Sequence, residues 1–284
     1  MTSLSDPTTP SGARVWAPLL SRAAIAVSGA EWRSFLHGLL TQDVESLAPG
    51  ELRFAALLTP QGRLLWDLFL VGREDGCLID CAAEHRPAIL QRLKMYRLRA
   101  KVDLAEDPSE VRAMWDAAVA TAGWAVDRRA AGLGWRGYGA EPPLDAEGVD
   151  EHAYEAHRFT LGLPGAADWG HDRNYPIEAN FDLLGGIDFK KGCFVGQETT
   201  SRMKRRGTVK SRMAPIAFDG PSPEPGSGLL SGALRAGQVC SGGEGGAMAL
   251  LRLDRLGEGP LTLEDGRPWR VDWPDWLAEA VPAA

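Results

Sequence analysis

One short stretch of the chain concentrates residue types that carry reactive chemistry. Residues 188–198 contain two adjacent lysines, a cysteine, an amide and carboxylates, with glycines that permit a tight turn. A cysteine acts as a nucleophile or a metal ligand in its thiolate form, which nearby cations and a helix N-terminus favour. Lys190 and Lys191 precede Cys193, and a turn into a helix is predicted after Gly196. Cys193 is therefore the candidate functional thiol, and the alternative is a small buried residue, as free cysteines most often are.

Positive charge follows this thiol along the chain. The Lys and Arg residues there are Arg202, Lys204, Arg205, Arg206, Lys210 and Arg212. The whole chain has 31 Lys and Arg against 38 Asp and Glu, a net charge of -7, so this positive charge is local and favours an anionic ligand. A solvated helix face is the alternative. A site for RNA or another polyanion is a third reading, which the acidic net charge disfavours, so nucleic acid is not expected as a partner.

Length and composition set the broad class of the protein. The 284 residues, 44% hydrophobic and 24% charged, are typical of a globular chain with two or three domains. No segment approaches the roughly 20 apolar residues of a membrane span, so we expect a soluble protein without a membrane partner, cytoplasmic in a bacterial cell. Cys77 and Cys81 fall on one face of a short strand and predict core packing, and the histidines lack a metal-binding spacing, so no bound metal is expected.

The apolar pattern predicts alternating helices and strands, an α+β chain. Helices are predicted in four segments: residues 31–40, 84–95, 116–123 and 151–161. A β-hairpin and its continuation are predicted in three apolar runs: residues 54–58, 63–71 and 77–81. After Arg212 the chain has short strands separated by Gly, Pro and Ser, which predicts a separate C-terminal domain that is a small β-barrel or a sandwich.

Polar side chains also occur where burial or a ligand is expected. Asp67 interrupts an otherwise apolar strand, so its carboxylate must be exposed, paired or facing a ligand cavity. Arg63, near the start of the same strand, is a candidate ion-pair partner if the strand is regular. Residues 168–186 are rich in loops but carry Trp, His, Asn and several carboxylates, a composition typical of a ligand-lining surface.

The stretch at residues 191–198 resembles the signature Lys-Gly-Cys-aromatic-x-Gly-Gln-Glu of the YgfZ-type folate-binding proteins. That family is related to the glycine cleavage T-protein, an aminomethyltransferase, and includes the mitochondrial factor for 4Fe-4S protein maturation. Further segments match in the expected order: residues 35–44, 59–63, 93–102 and 237–241. The resemblance covers essentially residues 22–256.

This resemblance implies three domains in a cloverleaf around a central folate cavity, with a C-terminal β-barrel. The implied domains are residues 1–50 with 145–211, residues 51–144, and residues 212–284. The resemblance makes Cys193 functionally essential and tetrahydrofolate, or a derivative, the ligand. Polar groups would anchor the pterin and the basic run would hold the anionic tail. The folate contacts expected in this way are Asp67, Glu178, Asn180, Lys191, Gln197, Glu198 and Arg202.

Two functions follow from the resemblance. The first is a tetrahydrofolate-binding accessory protein for the assembly or repair of iron-sulfur proteins, with iron-sulfur client or assembly proteins as partners. The second is an enzyme, a folate-dependent aminomethyltransferase. The aminomethyltransferases carry a pair of aspartates in the strand of Asp67, but here Trp66 precedes it, so the pair is broken. A carboxylate is needed there to manage protons on the folate amine, so the sequence favours the accessory role.

Overall fold

The computed structural model describes residues 14–117, 122–207 and 209–281. Strands β1 to β16 are Val15–Pro18, Arg22–Ser28, Leu52–Leu58, Leu64–Arg73, Gly76–Ala82, Asp103–Asp107, Val111–Trp115, Trp124–Val126, Trp135–Tyr138, Glu147–Gly148, Ser211–Phe218, Gly228–Ser231, Leu234–Gly243, Gly246–Arg252, Leu261–Leu263 and Trp269–Val271. Helices α1 to α6 are Trp32–Leu39, Arg86–Arg97, Glu151–Thr160, Ala166–Trp169, Gln197–Arg206 and Asp275–Ala278. The helix predicted at 116–123 falls mostly on residues 118–121, which lie outside the described part.

The predicted hairpin is confirmed as part of a five-stranded sheet, the hairpin sheet, with the order β3-β4-β5-β2-β6. β3 and β4 are antiparallel, with Phe54 opposite Phe69. Successive side chains of a strand point to opposite faces. Trp66 therefore packs in the apolar cluster that contains α1 and α2, while Phe69 belongs to the cluster on the other face. The helix predicted at 31–40 is confirmed as α1, which buries its apolar stripe on the hairpin sheet.

A second sheet has the order β10-β1-β7-β9-β8. Strand pairing crosses the predicted domain boundaries, since β2 of the first implied domain pairs with β5 of the second, and β1 pairs with β7. The division into residues 1–50 with 145–211, 51–144 and 212–284 stays a prediction.

The C-terminal strands form a six-stranded sheet with the order β15-β12-β13-β14-β11-β16. An isolated bridge between Thr262 and Pro268 joins its two edges, so the sheet is a nearly closed barrel. The predicted C-terminal β-barrel is confirmed. Within the described ranges, no helix has the length and apolar character needed to cross a membrane.

Candidate functional site

Cys193 is exposed on the loop that leads into α5, whereas Cys77 and Cys81 are buried in the hairpin sheet. A carboxylate at the start of the loop holds its backbone in place. The Asp188 carboxylate accepts from the amides of Lys190 at 2.7 Å and Lys191 at 3.2 Å. The alternative that Cys193 is a buried packing residue is therefore wrong, and core packing of Cys77 and Cys81 is confirmed.

Lys191 fastens this loop to the C-terminal end of α1. Its ammonium donates to the carbonyl oxygens of His37, Leu40 and Gln42 at 2.5, 2.6 and 3.0 Å. The last carbonyls of a helix have no partner inside the helix, and a cation there also interacts favourably with the helix dipole. Burial lowers the pKa of Lys191 to about 8. Because all three donors serve carbonyls in the last turn of α1 or in the three residues after it, the folate contact predicted for Lys191 would have to compete with these bonds.

The turn of the hairpin and the start of α5 pack against each other through two glycines. Gly196, the residue before α5, has φ of 82°, and a Cβ there would lie 2.6 Å from the carbonyl oxygen of Thr59. A Cβ at Gly62 would lie 2.9 Å from the side chain of Thr199. Both distances are well inside van der Waals contact, so glycine is needed at both positions. The hairpin turn and the cysteine segment thus form one structural unit.

Gly196→Ala is expected to destabilise the protein by at least about 2 kcal/mol, since left-handed backbone costs other residues roughly 1–2 kcal/mol and the methyl group also collides with the hairpin turn. The matched control is Gly207→Ala at the other end of α5, where φ is 70° and a Cβ meets nothing within 4 Å. The control carries the backbone cost alone. Urea unfolding measures both losses, and equal values would contradict the close approach.

His37 also lies beside the cysteine loop, which the sequence did not reveal. Its Nε2 would be 3.7 Å from a Cβ at Gly192, the residue before Cys193. Its Nδ1 is 3.1 Å from the Asp43 carboxylate and 3.3 Å from the amide nitrogen of Val44, so the ring is held from its far side. One sequence feature could have indicated this placement: His37 lies within residues 35–44, one of the segments that carry the family resemblance.

The Asp67 carboxylate forms an ion pair, but its partner is not Arg63, the candidate suggested from the sequence. Arg22 of β2 donates to Asp67 at 2.8 Å and to Asp80 at 2.6 Å. Arg63 instead donates to the backbone carbonyl of Arg173. The suggested pair between Asp67 and Arg63 is therefore wrong, because a neighbouring strand supplies the cation.

This pair belongs to a buried ion network of three arginines and three aspartates: Arg22, Arg129, Arg136, Asp67, Asp80 and Asp127. Arg136 donates to Asp80 at 2.8 Å and to Asp127 at 3.2 Å. The three guanidinium groups lie 3.8 to 5.3 Å from the centroid of the Phe69 ring. Equal numbers of opposite charges offset the desolvation that burial imposes on each group.

Acid is expected to weaken the ion network. Burial alone raises the pKa of Asp127, but the charges and hydrogen bonds of Arg129 and the charge of Arg136 outweigh it and lower the pKa from 3.8 to about 2. A lowered carboxyl pKa gives stability that is present above pH 4 and lost as the pH falls through about 2. The advantage of the natural chain over Asp127→Asn should shrink by about 1 kcal/mol between pH 6 and pH 3 in urea unfolding. A difference that does not vary with pH would contradict the ion pairing.

A cavity of about 620 Å³ lies against the ion network. Its lining includes Asp67, Phe69, Trp169 and, from α3, Glu155 and Arg158. This volume falls in the range of small-molecule sites. Of the predicted folate contacts, Asp67 lines this cavity and the others do not.

Glu178 and Asn180 lie in the segment that packs on β11. Asn180 is fully buried, its Nδ2 donates to the carbonyl of Met213 at 2.7 Å, and its Oδ1 accepts from Arg212 at 3.1 Å. The Glu178 carboxylate accepts from the amide of Tyr175 at 2.9 Å, and burial raises the pKa of Glu178. Both side chains brace the backbone, and their folate contacts stay predictions.

Helix α5 carries the remaining candidates. Gln197 is its first residue and half-buried, while Glu198 and Arg202 are exposed. A carboxylate in the first turn interacts favourably with the helix dipole, which is a structural role for Glu198. Arg212 is separated from this helix surface because it is buried and donates to the Asp182 carboxylate at 2.8 and 2.9 Å. The predicted basic run is therefore not one continuous surface.

The predicted site residues are thus distributed over three places. Lys191 and Cys193 lie beside the C-terminal end of α1, and the start of α5, next in the chain, packs on the hairpin turn. Asp67 lines the cavity on the face of the hairpin sheet away from α1. Glu178 and Asn180 brace β11.

Two sheets beside a cavity and a terminal β-barrel are the architecture of proteins with the aminomethyltransferase T-protein fold. The glycine cleavage system aminomethyltransferase T from Bartonella henselae matches with a TM-score of 0.74 over 93% of this chain and 86% of that chain, at 16% sequence identity. The α+β, T-protein-like fold predicted from sequence is confirmed. The family model "CAF17, C-terminal beta-barrel domain" matches residues 210–279.

The chain belongs to the family of the iron-sulfur cluster assembly factor IBA57. The protein of Homo sapiens is 30% identical over 316 residues, which cover 94% of this chain and 87% of that protein. The homolog of Coccidioides immitis is 34% identical over 252 residues, which cover 74% of this chain and 59% of that protein, so the chain spans less than two thirds of its length. IBA57 is a YgfZ-like family, so the resemblance noted at residues 191–198 identified a relative rather than the family itself.

The names of both relatives include the word mitochondrial. The predicted cytoplasmic location is therefore wrong, since these names point to the mitochondrion. The apolar pattern of the sequence bears on membrane spans. It carries no information about the cellular compartment in which the protein is found.

Proposed function

We propose that the chain is a tetrahydrofolate-binding accessory protein for the assembly or repair of iron-sulfur proteins, with Cys193 as its functional thiol. The observation that carries the proposal is the placement of Cys193 on an exposed loop that Asp188 and Lys191 hold beside α1. Membership of the IBA57 family supports the iron-sulfur part. Iron-sulfur client or assembly proteins are then its partners.

An exposed thiol suits contact with a cluster that passes between proteins. Thiolates are the preferred ligands of iron-sulfur clusters, which are commonly held by four of them. Burial raises the pKa of Cys77, Cys81 and Cys240 to about 12, so these thiols stay protonated and unsuited to ligation. Cys193 would supply one ligand and a partner the others, which fits an accessory protein better than a resident cluster.

The cavity beside the ion network offers part of the chemistry that a folate requires, which supports the proposal. A flat pterin needs apolar or aromatic walls and a few polar anchors. Phe69 and Trp169 provide aromatic walls, and Asp67 offers carboxylate oxygens to ring N–H groups. Arg158, on the same lining, already donates to Glu155 at 2.7 Å and to the carbonyl of Leu163, so an anionic tail would compete with these groups for its guanidinium. We therefore assign tetrahydrofolate to this cavity, with Asp67 as its polar anchor.

Complementation tests the iron-sulfur role. In a strain that lacks the protein, the natural chain should restore the activity and cluster content of 4Fe-4S enzymes, and Cys193→Ala at the same protein level should not. Cys240→Ala is the matched control, because its half-buried thiol has no proposed role. Equal restoration by Cys193→Ala would remove the thiol from the proposal.

Calorimetric titration with tetrahydrofolate tests the cavity. Asp67→Asn should weaken tetrahydrofolate binding at least about tenfold, the loss of one hydrogen bond to a charged group.

Aminomethyl transfer is the second candidate, favoured by the T-protein fold and by the carboxylate of Asp67 in the cavity. Arg22 already engages that carboxylate, and Trp66 stands where a second aspartate would be expected. Both observations favour the accessory role. If the natural chain fails to restore cluster enzymes but transfers the methylene group of an aminomethylated thiol to tetrahydrofolate, with release of ammonia and the free thiol, the aminomethyltransferase function replaces the accessory function.

A further inference from the structure

The turn that follows α2 has a leucine where the backbone favours glycine. Leu98 has φ of 46° and ψ of -106°, and the carbonyl of Arg97 accepts from the amide of Ala100 at 2.8 Å, which closes a four-residue turn. These angles are close to the first central position of a type II′ turn, which glycine dominates because a Cβ there is strained. The side chain gains no burial in return, since Leu98 is 87% exposed. Backbone strain that is not offset by burial of the side chain indicates a functional role for that residue.

Leu98 is part of an exposed surface that combines apolar and positive side chains, residues 94–101, here called the Leu98 surface. Met95, one helical turn earlier, is 61% exposed. The cations are Lys94, Arg97, Arg99 and Lys101. This segment contains no Asp or Glu although the chain has a net charge of -7, so its local charge is opposite in sign to that of the molecule.

The turn is held rigidly against the start of α1. The amide of Lys101 donates to the Glu31 carboxylate at 2.6 Å, and the amide of Glu31 donates to the carbonyl of Lys101 at 3.2 Å. A Cβ at Gly29 would overlap that same carbonyl oxygen, so the two backbones are in close contact. The Leu98 side chain is therefore presented by a fixed backbone, which lowers the entropy lost on binding.

We propose that the Leu98 surface is a docking site for an acidic protein partner with a small apolar pocket that receives Leu98 and Met95. Three exposed cations and the half-buried Arg97 around two apolar side chains complement a negatively charged surface, which would speed and orient the encounter. Two apolar side chains bury too little for stable insertion into a membrane. A nucleic acid would meet repulsion from the rest of an acidic chain.

The identity of the partner rests on the proposed function: it is an iron-sulfur client or assembly protein. The Leu98 surface is attached to the N-terminal end of α1, and the Cys193 loop is attached to its C-terminal end. α1 spans eight residues, a length of about 12 Å. An interface of ordinary size, about 800 Å² per partner, is wider than this separation of the two attachment points, so the proposal is that one partner spans both.

Leu98→Gly distinguishes a loss of docking from a loss of folding, because the substitution should weaken docking while it preserves or raises the stability of the fold. Glycine relieves the strain of the turn, so the Tm of the variant should equal or exceed that of the natural chain. Restoration of 4Fe-4S enzymes in the deletion strain should nevertheless fall at least threefold. Leu144→Gly, at another fully exposed leucine, is the matched control and should restore fully. Full restoration by Leu98→Gly would overturn the docking site and leave the proposed function standing, whereas failure of the natural chain itself would remove the proposed function.

Photo-crosslinking in cells tests the surface without assuming that function. The photoreactive residue p-benzoylphenylalanine, placed at position 98, should form an adduct with a protein of negative net charge, and the same residue at position 144 should not. Changing Lys94, Arg99 and Lys101 to Glu should reduce the adduct at least tenfold. No adduct at position 98, equal adducts at both positions, or adducts to lipid or nucleic acid would each overturn the proposal.

Discussion

Replacing Arg136 with methionine is expected to destabilise the protein by about 3–5 kcal/mol, the usual cost of removing one partner from a buried ion pair. Arg136 is 4% exposed and donates to both Asp80 and Asp127. It also donates to the Tyr154 hydroxyl at 3.2 Å, and its guanidinium lies 3.8 Å from the centroid of the Phe69 ring. Methionine keeps much of the volume but leaves both carboxylates short of a buried cation.

Urea unfolding at neutral pH measures this loss, with Arg128→Met as the matched control. Arg128 lies in the loop that leads to β9, the strand of Arg136, and its side chain is exposed. Its replacement should therefore change the free energy of unfolding by less than about 0.5 kcal/mol. The double variant Asp80→Asn/Arg136→Met should recover part of the loss, because it restores equal numbers of buried positive and negative charges. A loss below about 1 kcal/mol for Arg136→Met would show that the ion network contributes little to stability.

The fold elements near the site could be predicted because they depend on short-range patterns. The apolar stripe at 31–40 became α1, and the apolar runs around the Thr59 turn became β3 and β4. The spacing of Cys77 and Cys81 on one strand correctly indicated burial. In each case the period of the side chains fixes which face is buried, and that period is visible in a single sequence.

The pairings that give the site residues their roles could not be predicted, because they join distant segments. Arg22 and Asp67 are 45 residues apart, and Lys191 and His37 are 154 apart. The sequence correctly predicts that the Asp67 carboxylate needs a partner or a cavity, and the structure gives it both. Lys191 is predicted as a cation for folate because nothing in the neighbouring residues shows that its ammonium meets the end of a helix.

The backbone strain at Leu98 has a similar origin. A Leu between two arginines reads as an ordinary surface position, and nothing in its neighbours demands a positive φ. The close approach of Gly29 to the residues after this turn fixes its path, and the turn then imposes on Leu98 angles that suit glycine. Strain of this kind becomes visible only when the tertiary structure sets the backbone.

Lys191→Met is expected to remove the function of Cys193 while leaving the thiol in place. The variant keeps an aliphatic side chain of similar length but loses the three N–H donors to the end of α1, which should cost about 1.5–3 kcal/mol, the range for hydrogen bonds to a charged group. The cysteine loop is then released from α1. Restoration of 4Fe-4S enzymes should fall toward that of Cys193→Ala, although the chain remains folded.

Lys190→Met is the matched control, since it makes the same change at an exposed residue next in sequence. If Lys191 acts by positioning the loop, Lys191→Arg should restore part of the function, because a guanidinium also donates several hydrogen bonds to carbonyls. If Lys191 instead acts as a general positive charge near the thiol, Lys190→Met and Lys191→Met should weaken the function to a similar extent. A Lys191→Met chain with full function and natural stability would show that the loop holds its place without the helix contact, and the position of Cys193 would then depend on the Asp188 turn and the packing of Gly196 alone.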